Sequence, residues 1–245
     1  ITPISGPEYT NRFNLFRSIE VIGAPAEGFT SSEAMAALEE TADEVLPQGM
    51  AYAWNAMSFQ EKKASGSLGI ILTFSLIFVF LILAAQYESW SLPFSILLGT
   101  PLAIFGALFF LWIARLMSPT FENNIFAQVS FVMLIGMAAK NAILIVEFAN
   151  EEFKKGLTLF DAAITAAKSR FRPILMTAFS FILGVFPLVI ASGSGAEARQ
   201  VMGMALLGGM SAATVMGVFL YPMLFIFIGK IAKYEQNREL PSDIG

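Results

Sequence analysis

Five long apolar runs dominate this 245-residue sequence and limit the folds open to it. They cover about residues 67–87, 93–114, 125–150, 173–192 and 200–229. An α-helix needs about 20 apolar residues to cross a bilayer, because each residue advances it by about 1.5 Å. Charged residues make up only 14% of the chain. We therefore predict a mainly α, polytopic membrane helix bundle over residues 63–233, with one transmembrane helix in each run.

Residues 1–62 lack such runs and are predicted to form a partial α+β segment outside the membrane. "SIEVIGAPA" and "MAYAWNAM" are interpreted as strands, and the stretch between them is typical of an amphipathic helix. Thr30 and Glu33 are spaced as a capping box at the start of that helix. This β-α-β segment is too short for a core of its own. We expect its sheet partners elsewhere, in a larger protein of which this chain, opening at Ile1 rather than Met, is a part.

The distribution of basic residues predicts the orientation of the five helices. The segment between the third and fourth runs and the C-terminal end carry most of them: Lys154, Lys155, Lys168, Arg170, Arg172, Lys230, Lys233 and Arg238. Loops rich in lysine and arginine stay in the cytoplasm. Residues 234–245 are therefore predicted to be a cytoplasmic tail. Five crossings then place the N-terminal segment on the outer side of the membrane, which in a Gram-negative bacterium would be the periplasm.

Composition also removes several classes of function. The chain has no cysteine and no histidine, so thiolate and imidazole metal sites and disulfides are excluded. A net charge of -4 gives no sign of a nucleic-acid surface. We predict no metal and no cofactor, and membrane lipid as the surroundings.

Small residues and prolines predict how the helices pack and bend. Ala205, Gly209, Ala213 and Gly217 recur every four residues in the last run, which is typical of close helix packing in lipid. Pro93 and Pro173 are expected in the first turns of the second and fourth helices. Pro187 and Pro222 are expected to kink the fourth and fifth.

Lys140 lies in the middle of the third apolar run, in "IGMAAKNAILIVEFAN". A lysine near the bilayer centre costs about 2.5–3.5 kcal/mol on insertion scales, so it rarely persists without a partner or a purpose. Glu147 shares its helix face but lies about 10 Å further along, too far for a direct salt bridge. We expect the counter-ion of Lys140 on helices outside this sequence. The structural alternative is a salt bridge that only joins helices.

Arg170 and Thr177 are seven residues apart and therefore share a face of the fourth helix. Arg170 would lie at the cytoplasmic end and Thr177 about two turns deeper. The structural alternatives are a hydroxyl of Thr177 bonded to its own helix, and basic residues that only anchor the helix at the cytoplasmic surface.

Several blocks of the sequence resemble resistance–nodulation–division (RND) efflux transporters of the hydrophobe/amphiphile branch. These are "YESWSLPFSILLGTPLAIFGAL", "GMAAKNAILIVEFAN" and "RFRPILMTAFSFILGVFPLV", which are similar to the C-terminal half of that family. "NRFNLFRSIEVIGAPAEGFTSSEAMAALEE" and "WNAMSFQEKKASG" resemble its periplasmic porter segment.

The resemblance implies a proton-driven multidrug antiporter rather than an enzyme. The five helices would be helices eight to twelve of a twelve-helix protomer, in a homotrimer of the bacterial inner membrane. The expected partners are a periplasmic adaptor protein, an outer-membrane channel and hydrophobic or amphiphilic small molecules. The proton gradient would supply the energy, without a cofactor.

The family's proton relay, carried onto matching positions, falls on Lys140, Arg170 and Thr177, and its relay aspartates are expected in the missing N-terminal half. Asn141 and Glu147 are accessory polar groups without an assigned role. Two alternatives stay open: an RND exporter of metal ions or lipids, and a non-transporting membrane scaffold or degenerate half-gene.

Overall fold

A computed structural model describes residues 10–23, 25–26, 29–65, 68–118 and 121–232. The predicted cytoplasmic tail and the first nine residues lie outside this range. The chain divides into two compact units, residues 1–53 and 54–245.

The first unit contains a short hairpin and one helix. Strand β1 (Asn11–Phe13) pairs antiparallel with β2 (Phe16–Ser18), and helix α1 covers Ser31–Val45. The predicted capping box is confirmed. The hydroxyl of Thr30 accepts from the Glu33 amide at 3.3 Å, and the Thr30 amide donates to the Glu33 carboxylate at 2.8 Å.

The two strands predicted from "SIEVIGAPA" and "MAYAWNAM" are wrong for this chain. Residues 19–23 and 25–26 are irregular, and residues 50–55 are irregular before a helix begins at Ala56. Ile19 is 91% exposed and Val21 is 84% exposed, so the alternating side chains have no packed face in the described residues. A strand is held by backbone hydrogen bonds to another strand, and the sheet of the described residues consists of β1 and β2 alone.

The second unit is a helix bundle. Its helices are α2 (Ala56–Ser65), α3 (Leu68–Tyr87), α4 (Ser91–Leu97), α5 (Thr100–Arg115), α6 (Ile125–Lys154), α7 (Leu159–Val189) and α8 (Ala196–Ile231). Five spans within the described residues are long and apolar enough to cross a membrane, which confirms the predicted bundle. The second span consists of α4 and α5 together, with a break at Leu98 and Gly99.

Pro173 does not open a helix, contrary to the expectation from the apolar run. It lies inside α7, which begins at Leu159. Thr158 caps that start, because its hydroxyl accepts from the Asp161 amide at 3.1 Å and donates to the Asp161 carboxylate at 2.8 Å. Residues 159–172 precede the predicted apolar run and are amphipathic. They are nevertheless part of the same helix.

Helix α8 is the centre of the bundle and packs against α4, α5, α6 and α7. A Cβ on Gly208 would stand 2.5 Å from Cγ of Phe110, and one on Gly209 would stand 2.9 Å from the carbonyl oxygen of Ala103. The backbones of α5 and α8 therefore touch where only glycine fits. Without a hydrophobic driving force between helices in lipid, such close contact supplies much of the association energy.

The turn between α7 and α8 is closed by two side chains of α8. The guanidinium of Arg199 donates from Nη2 to the carbonyls of Ser192 (3.1 Å) and Ser194 (2.8 Å). Gln200 donates to the carbonyl of Ala191 at 2.7 Å. Gly193 has a φ of +85°, a conformation that favours glycine. These bonds satisfy backbone carbonyls of the loop that joins the two helices.

We predict that Gly209→Ala destabilises the complete protein by about 1–3 kcal/mol, because the added methyl group overpacks the contact with Leu134 and Ala103. The midpoint of heat-induced unfolding in detergent would fall. Gly184→Ala is the matched control, since a Cβ at Gly184 meets no atom within 4 Å. Equal midpoints for the two variants would contradict the proposed contact.

We also predict that Arg199→Ala loosens the α7–α8 turn. Loss of three hydrogen bonds from one guanidinium should speed amide hydrogen exchange in residues 190–195 by about tenfold or more. Arg115→Ala, at the exposed end of α5, serves as the control and should leave those amides unchanged. Unaltered exchange in Arg199→Ala would show that the turn is held without the hydrogen bonds of Arg199.

Candidate functional site

Lys140 lies midway along α6, 15 residues after its first residue and 14 before its last. The neighbouring Ala138, Ala139 and Asn141 are buried in the bundle, whereas Lys140 is exposed on the outer face of the helix. Within the described part of the chain, no carboxylate forms an ion pair with it. The ammonium therefore stands midway along a candidate membrane span, without a negative partner among the described residues.

An open groove of about 370 Å³ runs along this face between α6 and α7. Its walls combine a cation, three uncharged polar side chains and four apolar ones: Met137, Lys140, Asn141, Met176, Thr177, Ser180, Phe181 and Met210. The structure thus brings Lys140 and Thr177, predicted from different helices, into one site. Asn141 joins them.

Thr177 is exposed in the groove, and its hydroxyl donates to the carbonyl of Ile174 at 3.0 Å. This bond within the helix is the structural alternative considered from the sequence. It uses the hydroxyl proton and leaves oxygen lone pairs free as acceptors. An ammonium that moved along the groove could therefore donate to Thr177 without disturbing α7.

The amide of Asn141 is the most constrained polar group of the site. Its side chain is 2% exposed, and its Nδ2 atom has no hydrogen-bond acceptor among the described residues. A buried donor without a partner costs about 1–3 kcal/mol. Asn141 thus has hydrogen-bonding capacity that no described residue uses.

Arg170 lies outside the groove, nearer the start of α7. Its guanidinium carbon is 4.6 Å from the ring centroid of Phe148 on α6, within the range of a cation–π interaction. Its Nε atom is buried and has no acceptor among the described residues. Glu147 also lies outside the groove and is exposed, close enough to Tyr87 on α3 for electrostatic interaction. The structure therefore does not gather all the predicted residues at one point.

Two side chains near the site were not anticipated from the sequence. Ser180 follows Thr177 by three residues, so the helical period could have placed it on the same wall. Phe148 is different, because nothing in the sequence shows that it lies beneath a guanidinium of another helix. No cluster of three or more histidine, cysteine, aspartate or glutamate side chains that could hold a metal ion occurs in the parts of the chain that the structure covers.

Comparison with known proteins identifies the family of this chain. The model of the AcrB/AcrD/AcrF family matches residues 1–229. Similar proteins include the toluene efflux pump membrane transporter TtgB of Pseudomonas putida, 44% identical over 92% of this chain and 21% of the relative. The multidrug resistance protein MdtF of Escherichia coli is 42% identical over 91% of this chain and 21% of its own length.

A further relative is the multidrug export protein AcrF of Escherichia coli, 40% identical over 94% of this chain and 22% of its own length. The chain thus spans about a fifth of the length of these curated relatives. The match covers both the unit before residue 54 and the membrane bundle. This multi-pass membrane chain belongs to the AcrB/AcrD/AcrF family of RND efflux transporters.

Proposed function

We propose that this chain is the C-terminal portion of a proton-driven efflux pump that exports hydrophobic or amphiphilic small molecules. The observation that carries the proposal is an exposed lysine midway along a candidate membrane span, without an ion-pair partner among the described residues, in a groove with Thr177 and Asn141. A cation that faces lipid would be costly, so this groove is a surface to be covered by other helices. The relatives, named as efflux and export proteins, support the transport role.

The groove suggests how proton binding drives a change of shape. Ionised carboxylates on the covering helices pair with Lys140. When a proton neutralises a carboxylate, that pairing weakens and the ammonium moves toward Thr177. The two states then differ by one buried ion pair, and such a differential interaction is what shifts a conformational equilibrium. The oxygen lone pairs on Thr177 are the acceptor available to the ammonium in this second state.

Arg170 would act at the next stage, on the cytoplasmic side. Its cation–π contact with Phe148 on α6 connects the two helices that form the groove. The buried Nε without an acceptor marks a guanidinium that has further hydrogen-bonding capacity. In this proposal the proton leaves toward the cytoplasm past Arg170. Glu147 lies on the same side of Lys140 and has no assigned step.

The membrane arrangement and partners follow from the family and the charge distribution. The basic residues near the junction of α6 and α7 favour a cytoplasmic location for that end of the bundle. The unit before residue 54 then lies in the periplasm, and the protein in the bacterial inner membrane. A homotrimer, a periplasmic adaptor and an outer-membrane channel complete the proposed assembly.

We predict that Lys140→Met in the complete transporter abolishes proton-driven efflux. Methionine keeps the length and apolar contacts of the side chain but has no charge to pair with a carboxylate. Efflux of ethidium, a fluorescent amphiphile, would be measured in proteoliposomes under an imposed proton gradient. The rate should fall by at least about a hundredfold, because a buried charge would be left without its partner.

Lys154→Met is the matched control, since Lys154 is the exposed last residue of the same helix. It should leave the efflux rate within about twofold of the parent rate, as expected for a screened surface charge. Amount, oligomeric state and ethidium affinity would be compared in all three proteins. Undiminished efflux by Lys140→Met would reduce the buried charge to a structural role and refute the proposed relay.

A further inference from the structure

Tyr221 is the one tyrosine among the fully buried side chains of the described bundle, and it lies outside the groove. Its side chain is 1% exposed, and its hydroxyl donates to the carbonyl of Ala138 at 3.3 Å. The bond runs from α8 to α6. Ala138 precedes Lys140 by two residues, so Tyr221 is bonded to α6 close to the residue that carries the charge.

The bond fixes both the rotation of α6 about its own axis and its position along that axis. Two residues of an α-helix advance about 3 Å and rotate about 200°. Ala138 therefore faces α8, whereas Lys140 points to nearly the opposite side, toward the groove. A rotation or axial shift of α6 that displaced Lys140 would also break or lengthen the bond to Tyr221.

Two glycines shape the space for the tyrosine ring. A Cβ on Gly99, between α4 and α5, would occupy the place of the Cε1 atom of Tyr221 and would stand 2.8 Å from its hydroxyl. A Cβ on Gly217, one turn earlier on α8, would stand 2.6 Å from Cε2. The ring is held from two sides, so its hydroxyl has a fixed direction.

Pro222 follows Tyr221 directly and is also buried. A proline has no amide hydrogen, so the carbonyl of Val218 lacks its usual helix partner. Helix α8 can bend most easily at such a position. Tyr221 thus links the proline position of α8, the junction of α4 and α5, and the level of α6 that bears the charge.

We propose that Tyr221 is a positioning residue for the Lys140 relay, transmitting movement between α8 and α6 through its hydrogen bond to the Ala138 carbonyl. This inference rests on the proposed proton-relay function of Lys140. Tyr221 does not touch the groove and takes no proton itself. Its effect is on the placement of Lys140, because the strength of a buried ion pair depends strongly on distance.

The test is Tyr221→Phe in the complete transporter, which keeps the ring and removes only the hydroxyl. The carbonyl of Ala138 retains its ordinary helix bond, so the fold should persist. Ethidium efflux in proteoliposomes under a fixed proton gradient should show a maximal rate, kcat, lowered about threefold to tenfold. KM should stay within about twofold, since the drug-binding step is not altered.

Thr214→Val is the matched control, because it removes another buried hydroxyl from α8. The hydroxyl of Thr214 donates to the carbonyl of Met210 at 2.7 Å, a bond that stays within the helix. Its kcat should match that of the parent. Equal losses in Thr214→Val and Tyr221→Phe would overturn the inference, because they would trace the effect to any lost hydroxyl on α8.

Lys140→Met, measured beside these variants, separates failure of the inference from failure of the relay. An inactive Lys140→Met with an unaltered Tyr221→Phe would overturn the role of Tyr221 and leave the relay standing. An active Lys140→Met would overturn both, since Tyr221 would then have no relay residue to position. A raised KM with an unaltered kcat in Tyr221→Phe would also overturn the inference, because it would place the effect on drug binding.

Discussion

The contact of α8 with its neighbours is the constraint on which the rest of the bundle depends. Glycines on α8 let its backbone touch α5, and a Cβ on Gly203 would meet the backbone of α7 at 2.9 Å. In lipid the burial of apolar surface does not draw helices together, so packing this close must do so. Once α8 is central, α6 and α7 are placed side by side, and the groove between them follows. The position of Lys140 is thus a consequence of residues that never touch it.

Helix α6 has two chemically different faces, one buried and one exposed, and Lys140 lies on the exposed face. One face is buried and lined by alanines, with Ala138 and Ala142 fully covered. Two hydrogen bonds join this face to α8. Ser130 of α6 donates to the Met202 carbonyl at 3.4 Å, and Tyr221 of α8 donates to the carbonyl of Ala138, about two turns beyond Ser130 on α6. The other face carries an ammonium that has no ion-pair partner among the described residues. In the proposed relay, this exposed face is the one that an acidic partner from other helices would cover.

Much of this architecture could be predicted from the sequence, because hydrocarbon leaves few options. Every backbone polar group in a membrane needs an internal partner, so long apolar runs must be helices. Outside the apolar runs this constraint does not apply, and the predictions of helix ends and strands were less accurate there. Helix α7 begins at Leu159 through a Thr158 cap rather than at Pro173, and the strands predicted on either side of α1 are absent from the described residues. A strand depends on distant partners, and hydropathy does not reveal whether a chain contains them.

For the candidate site too, some features could be predicted from the sequence and others could not. Helical period was enough to place Arg170 and Thr177 on one face, and a charge in an apolar run was enough to single out Lys140. Neither could show that Arg170 rests on Phe148, or that Tyr221 reaches Ala138, because both contacts join residues far apart in the sequence. Such contacts arise from helix rotation, which small residues at the interfaces decide. The proposed relay of Lys140 would therefore depend on the glycine contacts of α8 as much as on the polar side chains of the groove.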